Sequence, residues 1–197
     1  MTTPPDDVDL SRRRFLTAAT TVVGGIGAAC ATAPFIQSWF PSARAQAMGI
    51  PIEVDVSKLA VRAQLTVEWR GQPIWIIHRS PEELASLQAL DPLLVDPNSN
   101  MPQQPPLAHN LYRSLKPEYL VLIGICTHLG CVPTYRPDIG SVEANWPGGF
   151  FCPCHGSKYD LAGRVYKNVP APSNLVVPPY RYVSDTVILI GENAENV

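Results

Sequence analysis

Two short segments constrain this chain more than anything else in it. They are Cys126-Thr127-His128-Leu129-Gly130-Cys131 and Cys152-Pro153-Cys154-His155-Gly156-Ser157, separated by residues 132–151. Four of the five cysteines and two of the four histidines fall in these twelve positions. Chance does not place them so. Whatever fold the chain adopts has to serve covalent or metal chemistry at these two segments.

Several chemistries can use such a set. Two disulfides in an exported domain, with two incidental surface histidines, is the plainest. A structural zinc site draws on the same soft ligands but leaves two of the six candidates unused. A c-type haem needs C-x-x-C-H, and Cys152-Pro153-Cys154-His155 is one residue short of it. Two cysteines and two histidines also suit a [2Fe–2S] cluster in which His replaces Cys on one iron. The two cysteines left over are then available for a disulfide, which an exported location permits.

The N-terminus supplies that location. Residues 1–10 are acidic and polar, and Ser11-Arg12-Arg13-Arg14-Phe15-Leu16 resembles a twin-arginine export signal. From Phe15 to Ala43 there is no charged residue, and a helix over Leu16–Phe40 is long enough to cross a hydrocarbon core of about 30 Å. Thr17, Thr20, Thr21, Thr32 and the Gly24-Gly25-Ile26-Gly27 cluster keep it only moderately apolar, as such signals are. Small residues at Ala43-Arg44-Ala45 and Ala45-Gln46-Ala47 fit a cleavage site. The length of the span and Trp39 at its far end fit an uncleaved anchor. In either case Arg12–Arg14 leave the N-terminus in the cytoplasm and the remainder outside the inner membrane. Cys30 lies inside this span and reads as an ordinary small residue.

Beyond a short Ala-rich linker, 42–49, the patterning is that of a β domain. Ile52–Val56 and Leu65–Trp69 alternate apolar with polar residues, Arg70–Pro73 makes a turn, and Ile74–Ile77 reads as a buried strand. Ser80 before Pro81 predicts a short helix to Leu90. Residues 91–106, rich in Pro, Asn and Gln, predict an ordered surface loop. Leu120–Ile125, Leu175–Val177, Tyr180–Val183 and Thr186–Ile190 predict further strands, and Trp146–Gly149 a turn. In 197 residues, 21 Pro and 13 Gly favour strands and loops over long helices. A net charge of −2, with no basic run beyond Arg12–Arg14, argues against nucleic acid as a partner. His78 and His109 have no cysteine nearby in sequence and are not expected as ligands.

At the two Cys/His segments the chain resembles the Rieske iron–sulfur proteins, with both boxes matched without a gap. The likeness continues through Lys158-Tyr159-Asp160, Gly163-Arg164 and Pro170-Ala171-Pro172, and upstream through Trp69-Arg70-Gly71 and His78-Arg79. With the twin-arginine segment it covers nearly the whole chain and resembles the Rieske subunits of bacterial ubiquinol–cytochrome c reductases. The resemblance implies an antiparallel β-sandwich head with a cluster-binding subdomain at about 124–175, one transmembrane helix at 15–41 and a flexible hinge at 42–49. It implies that Cys126 and Cys152 bind one iron of a [2Fe–2S] cluster, His128 and His155 the other, and that Cys131 and Cys154 form a disulfide. By the same resemblance Ser157 and Tyr159 hydrogen-bond cluster sulfurs, Leu129 shields the cluster, Pro170-Ala171-Pro172 covers its other side, and His155 meets quinol. Val169 stands where the family usually has Gly, and Lys158 where it often has His.

Electrostatics accounts for the reaction this implies. Two neutral imidazoles in place of two thiolates leave the oxidised site without net charge, where four thiolates would leave it doubly negative. Such a site takes up an electron at high potential, and hydrogen bonds to its sulfurs raise the potential further. Added negative charge makes the imidazole N–H hold its proton more tightly, which suits oxidation of a quinol that loses both. The partners implied are a cytochrome b subunit and a membrane-anchored c-type cytochrome, in a dimeric complex of the bacterial inner membrane with the head in the periplasm. The small Rieske subunit of an exported oxidase, such as arsenite oxidase, and a non-redox zinc or disulfide module are the alternatives.

Overall fold

The computed structural model describes residues 9–42 and 49–193. The chain divides into two units, Met1–Ala47 and Met48–Val197. Among the described residues the first contains one helix, α1 (Leu10–Gln37), of 28 residues. At about 1.5 Å per residue it exceeds a bilayer core, and it is long and apolar enough to cross a membrane. It begins six residues before the expected Leu16. The Asp9 carboxylate caps it, accepting from the backbone N–H groups of Ser11 and Arg12 at 3.0 and 3.1 Å. Arg12–Arg14 therefore lie inside the helix. Most of the expected hinge, 43–48, lies outside the described residues.

The second unit is built on three antiparallel three-stranded sheets. Its strands are β1 (Ile52–Asp55), β2 (Gln64–Trp69), β3 (Gln72–His78), β4 (Tyr119–Ile123), β5 (Thr134–Arg136), β6 (Gly149–Cys152), β7 (Ser157–Tyr159), β8 (Tyr180–Tyr182) and β9 (Val187–Ile190). The spatial orders are β1-β9-β8, β2-β3-β4 and β5-β6-β7. The expected turn after Trp69 is a two-residue hairpin: Arg70 (φ 53°) and Gly71 (φ 72°) are both left-handed, which suits the twist of the strands they join. Helix α2 (Pro81–Ser86) opens with Pro81 and a reciprocal capping box between Ser80 and Glu83. It then tightens into a 3-10 helix over Leu87–Leu93, so the single helix expected to Leu90 is divided.

Two differences from the sequence reading have plain causes. Leu175–Val177 is not a strand. Its backbone groups bond singly to three different segments, Leu175 N–H to Gly163, Val177 N–H to Gln103 and the Val176 carbonyl to Ile123. Pro172 and Pro178–Pro179 on either side prevent a continuous ladder. Conversely, β5, β6 and β7 have no counterpart in the sequence reading, because strands of three or four residues show no alternation to read.

Three fully buried arginines replace apolar packing behind β7. Arg79 donates to the carbonyls of Tyr112 and Leu161 at 2.9 and 3.0 Å. Arg113 donates to the carbonyls of Ala162 and Leu175 at 3.1 and 2.7 Å. Arg164 pairs with Asp160 at 2.7 Å, both side chains being fully buried, and with Asp91. Burial pulls the Arg79 and Arg113 guanidinium groups down to about 10. Together the three hold the turn Asp160–Arg164, which directly follows the strand carrying Ser157 and Tyr159.

Candidate metal centre

Each Cys/His segment is a loop closed on itself. The first follows β4, and the second joins β6 to β7, closed by the paired residues Cys152 and Ser157. In both, the N–H of the glycine donates to the carbonyl of the cysteine four residues earlier: Gly130 to Cys126 at 3.0 Å, and Gly156 to Cys152 at 2.9 Å. Both glycines are left-handed, with φ 81° and 78°. A Cβ on either would meet nothing within 4 Å, so it is the backbone angle that calls for glycine there.

The loops bring the six donors together in two kinds. Cys131 and Cys154 are joined as a disulfide across 23 residues of sequence. Cys126 and Cys152 remain free thiols, both buried. The sulfurs of Cys131, Cys152 and Cys154 lie within 4.8 Å of one another. Two of these three are bonded to each other, however, so of that group only Cys152 keeps a sulfur able to ligate. The rings of His128 and His155 stand edge to face, 4.8 Å apart at 90°. His128 is half-buried and His155 exposed, and Leu129 beside them is 70% exposed. His78 and His109 are engaged elsewhere, with the carbonyls of Leu59 and Asn98.

Hydroxyl groups gather at the Cys126 thiol. Tyr159, fully buried, places its hydroxyl 3.2 Å from Cys126 Sγ. The same oxygen accepts from the Thr127 backbone N–H at 3.2 Å. Thr127 Oγ1 donates to the Ser173 carbonyl at 2.6 Å, tying the first loop to the segment after Pro172. Ser157 Oγ accepts from the Ala171 N–H at 3.1 Å, so it pins the Pro170-Ala171-Pro172 loop while its own proton stays available. Pro170 and Pro172 are exposed and Ala171 is buried. The left-handed residue before this loop is Asn168 (φ 59°), a type that tolerates it, so Val169 carries no such strain. Lys158 points away to Glu143, at 2.6 Å.

The two thiols are shifted in opposite directions. Burial pushes Cys126 up, but hydrogen bonds from Tyr159, the His128 backbone, Cys152 and Ser157 outweigh it and leave the thiol below its ordinary value. Burial together with its neighbour Cys126 pushes Cys152 up. Burial, with Cys126 beside it, pushes Tyr159 far up, so its hydroxyl keeps its proton and acts as a donor. Two unpaired buried thiols, two imidazoles and convergent donors fit an iron–sulfur cluster held by two cysteines and two histidines. Thr127 and the Ser173 carbonyl are contributors that the sequence reading misses. No local signal marks them, because both act through contacts distant along the chain.

The fold and this donor set define a Rieske-type iron–sulfur domain. A "Rieske [2Fe-2S] domain" family model matches residues 95–181, and one described as "Ubiquitinol-cytochrome C reductase Fe-S subunit TAT signal" matches residues 2–42. The ubiquinol–cytochrome c reductase iron–sulfur subunit of Allochromatium vinosum is 61% identical over 188 residues, covering 94% of this chain and 91% of that one. The subunit of the same name from Bradyrhizobium diazoefficiens is 44% identical over 97% of this chain and 100% of its own length. That of Rhodospirillum rubrum is 43% identical over 92% of each. The chain belongs to the family of ubiquinol–cytochrome c reductase iron–sulfur subunits, and its cofactor is a [2Fe–2S] cluster. The readings as a zinc module or as the small subunit of an exported oxidase give way to this one.

Proposed function

We propose that the chain takes one electron and one proton from quinol and passes the electron to a membrane-anchored c-type cytochrome, as the redox subunit of a proton-translocating quinol–cytochrome c reductase. The observation that carries the reading is the pair of free buried thiols beside the edge-to-face histidines, under loops cross-linked by Cys131–Cys154. Cys126 and Cys152 hold one iron and His128 and His155 the other. When bound, the cluster supplies a one-electron acceptor. The protein does the rest. Exposed His155 presents its ring to the quinol hydroxyl and holds the proton, while Leu129 and the Pro170-Ala171-Pro172 loop limit water. Tyr159 and Ser157 direct hydroxyl protons at the sulfurs.

The domain assignment follows. Residues 1–14 form the cytoplasmic end with its export signal, 15–41 the anchor, 42–49 the hinge, and 50–197 a periplasmic head docking on cytochrome b. The long apolar helix supports the anchor, and the match to the export-signal family supports the route. Electron paramagnetic resonance of reduced membranes tests the ligand set. Cys126→Ser, Cys152→Ser, His128→Ala and His155→Ala should each abolish the cluster signal, and an intact cluster in His155→Ala would refute the assignment.

A further inference from the structure

The two cluster loops leave two different sheets, and something has to set the distance between them. Trp75, 2% exposed, sits on β3, the central strand of its sheet and so held by ladders on both sides. Its indole touches the approach to both loops at the same distance along the chain. Gly124 lies two residues before Cys126 and Phe150 two residues before Cys152.

The contact with Gly124 leaves no room for a side chain there. Trp75 is paired across the sheet with Leu122, which makes Gly124 its diagonal neighbour on β4's exit. A Cβ on Gly124 would fall 2.6 and 2.7 Å from Trp75 Cζ2 and Nε1, and closer still to Cε2. Glycine is there because the indole occupies the space a side chain would need. The contact with Phe150 is a stack, with ring centroids 5.3 Å apart and planes 13° from parallel. Phe150 is in turn paired with Tyr159 across β6 and β7. The backbones there approach so closely that a Cβ on Gly149 would lie 3.1 Å from Asp160 Cα. The indole thus backs both the strand that delivers Cys152 and the residue pair that carries the Tyr159 hydroxyl to Cys126.

We infer that Trp75 is a positioning residue for the cluster: a rigid spacer, mounted on β3, that sets the separation of the two ligand loops and the reach of Tyr159 to Cys126. It is none of the residues that would hold the cluster. Its effect passes through Gly124 on one side and through Phe150 and Tyr159 on the other. The inference rests on the ligand reading above and adds to it the residue that gauges the site.

The test uses the full chain in membranes, read by electron paramagnetic resonance and by the midpoint potential. Trp75→Phe keeps an aromatic ring but removes the indole's far edge. It should change the g-values and shift the potential downward. In the Tyr159→Phe background the same substitution should shift the potential less, because the hydrogen bond it loosens is already absent and the route through Gly124 remains. Gly124→Ala forces the indole from its place and should disturb or lose the signal, while Gly124→Ala combined with Trp75→Leu should restore it. A Trp75→Phe protein with wild-type spectrum and potential, altered only in melting temperature, would reduce Trp75 to ordinary core. A Trp75→Phe shift as large in the Tyr159→Phe background as in the unsubstituted protein would also overturn the route through Tyr159. So would failure of Trp75→Leu to rescue Gly124→Ala for the route through Gly124. Failure of the ligand reading has a different signature, the absence of a Rieske-type spectrum from the unsubstituted protein.

Discussion

Tyr159→Phe removes one oxygen atom and its three hydrogen bonds, to Cys126 Sγ, the Thr127 N–H and Thr127 Oγ1, and the first two losses can be read separately. The first is the donor to Cys126 Sγ at 3.2 Å. With the cluster bound, this bond matters to the potential only through the extra strength it gains when reduction adds negative charge. That difference is about 1–2 kcal/mol for a hydrogen bond to a charged acceptor. For a one-electron couple, in which about 59 mV is a tenfold change, the potential should fall by about 40–90 mV. The second loss is the acceptor for the Thr127 N–H, also at 3.2 Å. An unpaired buried amide costs about 1–3 kcal/mol, which is the upper bound for this part-buried one, and a domain of this size loses about 2–4 °C of melting temperature per kcal/mol. Redox titration monitored by circular dichroism or electron paramagnetic resonance gives the first number, and thermal unfolding the second. Quinol oxidation should slow in parallel with the potential, since driving force is lost. An unchanged potential with a lowered melting temperature would show that the hydroxyl serves Thr127 and not the sulfur.

The Cys131–Cys154 cross-link closes a loop of 23 residues, for which chain entropy predicts about 3 kcal/mol. Cys131→Ser should therefore assemble a cluster but lose it faster to a chelator, and equal loss rates would deny the disulfide that role. Asp160→Asn takes from Arg164 its fully buried carboxylate partner at 2.7 Å and leaves it Asp91, a loss below the about 3–5 kcal/mol of a buried charge left unpaired; a melting temperature equal to that of the parent would refute this. Pro substituted at both Ala45 and Ala47 fixes φ in the segment proposed as the hinge and should slow steady-state turnover with cluster content and potential unchanged. Undiminished turnover would show that the electron does not depend on flexing of this segment.

Whatever depends on residue type at short spacing was legible in the chain before it folded. Two boxes of Cys and His carry their meaning locally: the ligand chemistry lies in the side chains, and Gly130 and Gly156 close each loop within five residues. The Ser80–Pro81 start of α2, the Arg70–Gly71 hairpin and the N-terminal helix, uncharged from Phe15 on, are local in the same sense, since caps, turns and spans are decided by neighbours in sequence. Contacts between distant segments came from the folded arrangement alone. Thr127 reaches the Ser173 carbonyl across 46 residues, Ser157 holds Ala171, and Arg79 crosses 82 residues to the Leu161 carbonyl. Strands β5, β6 and β7 exist because partners are brought to them, and Leu175–Val177 is no strand because none is. A three-residue ladder or a buried guanidinium is stabilised by groups far away along the chain, so nothing in its own neighbourhood announces it.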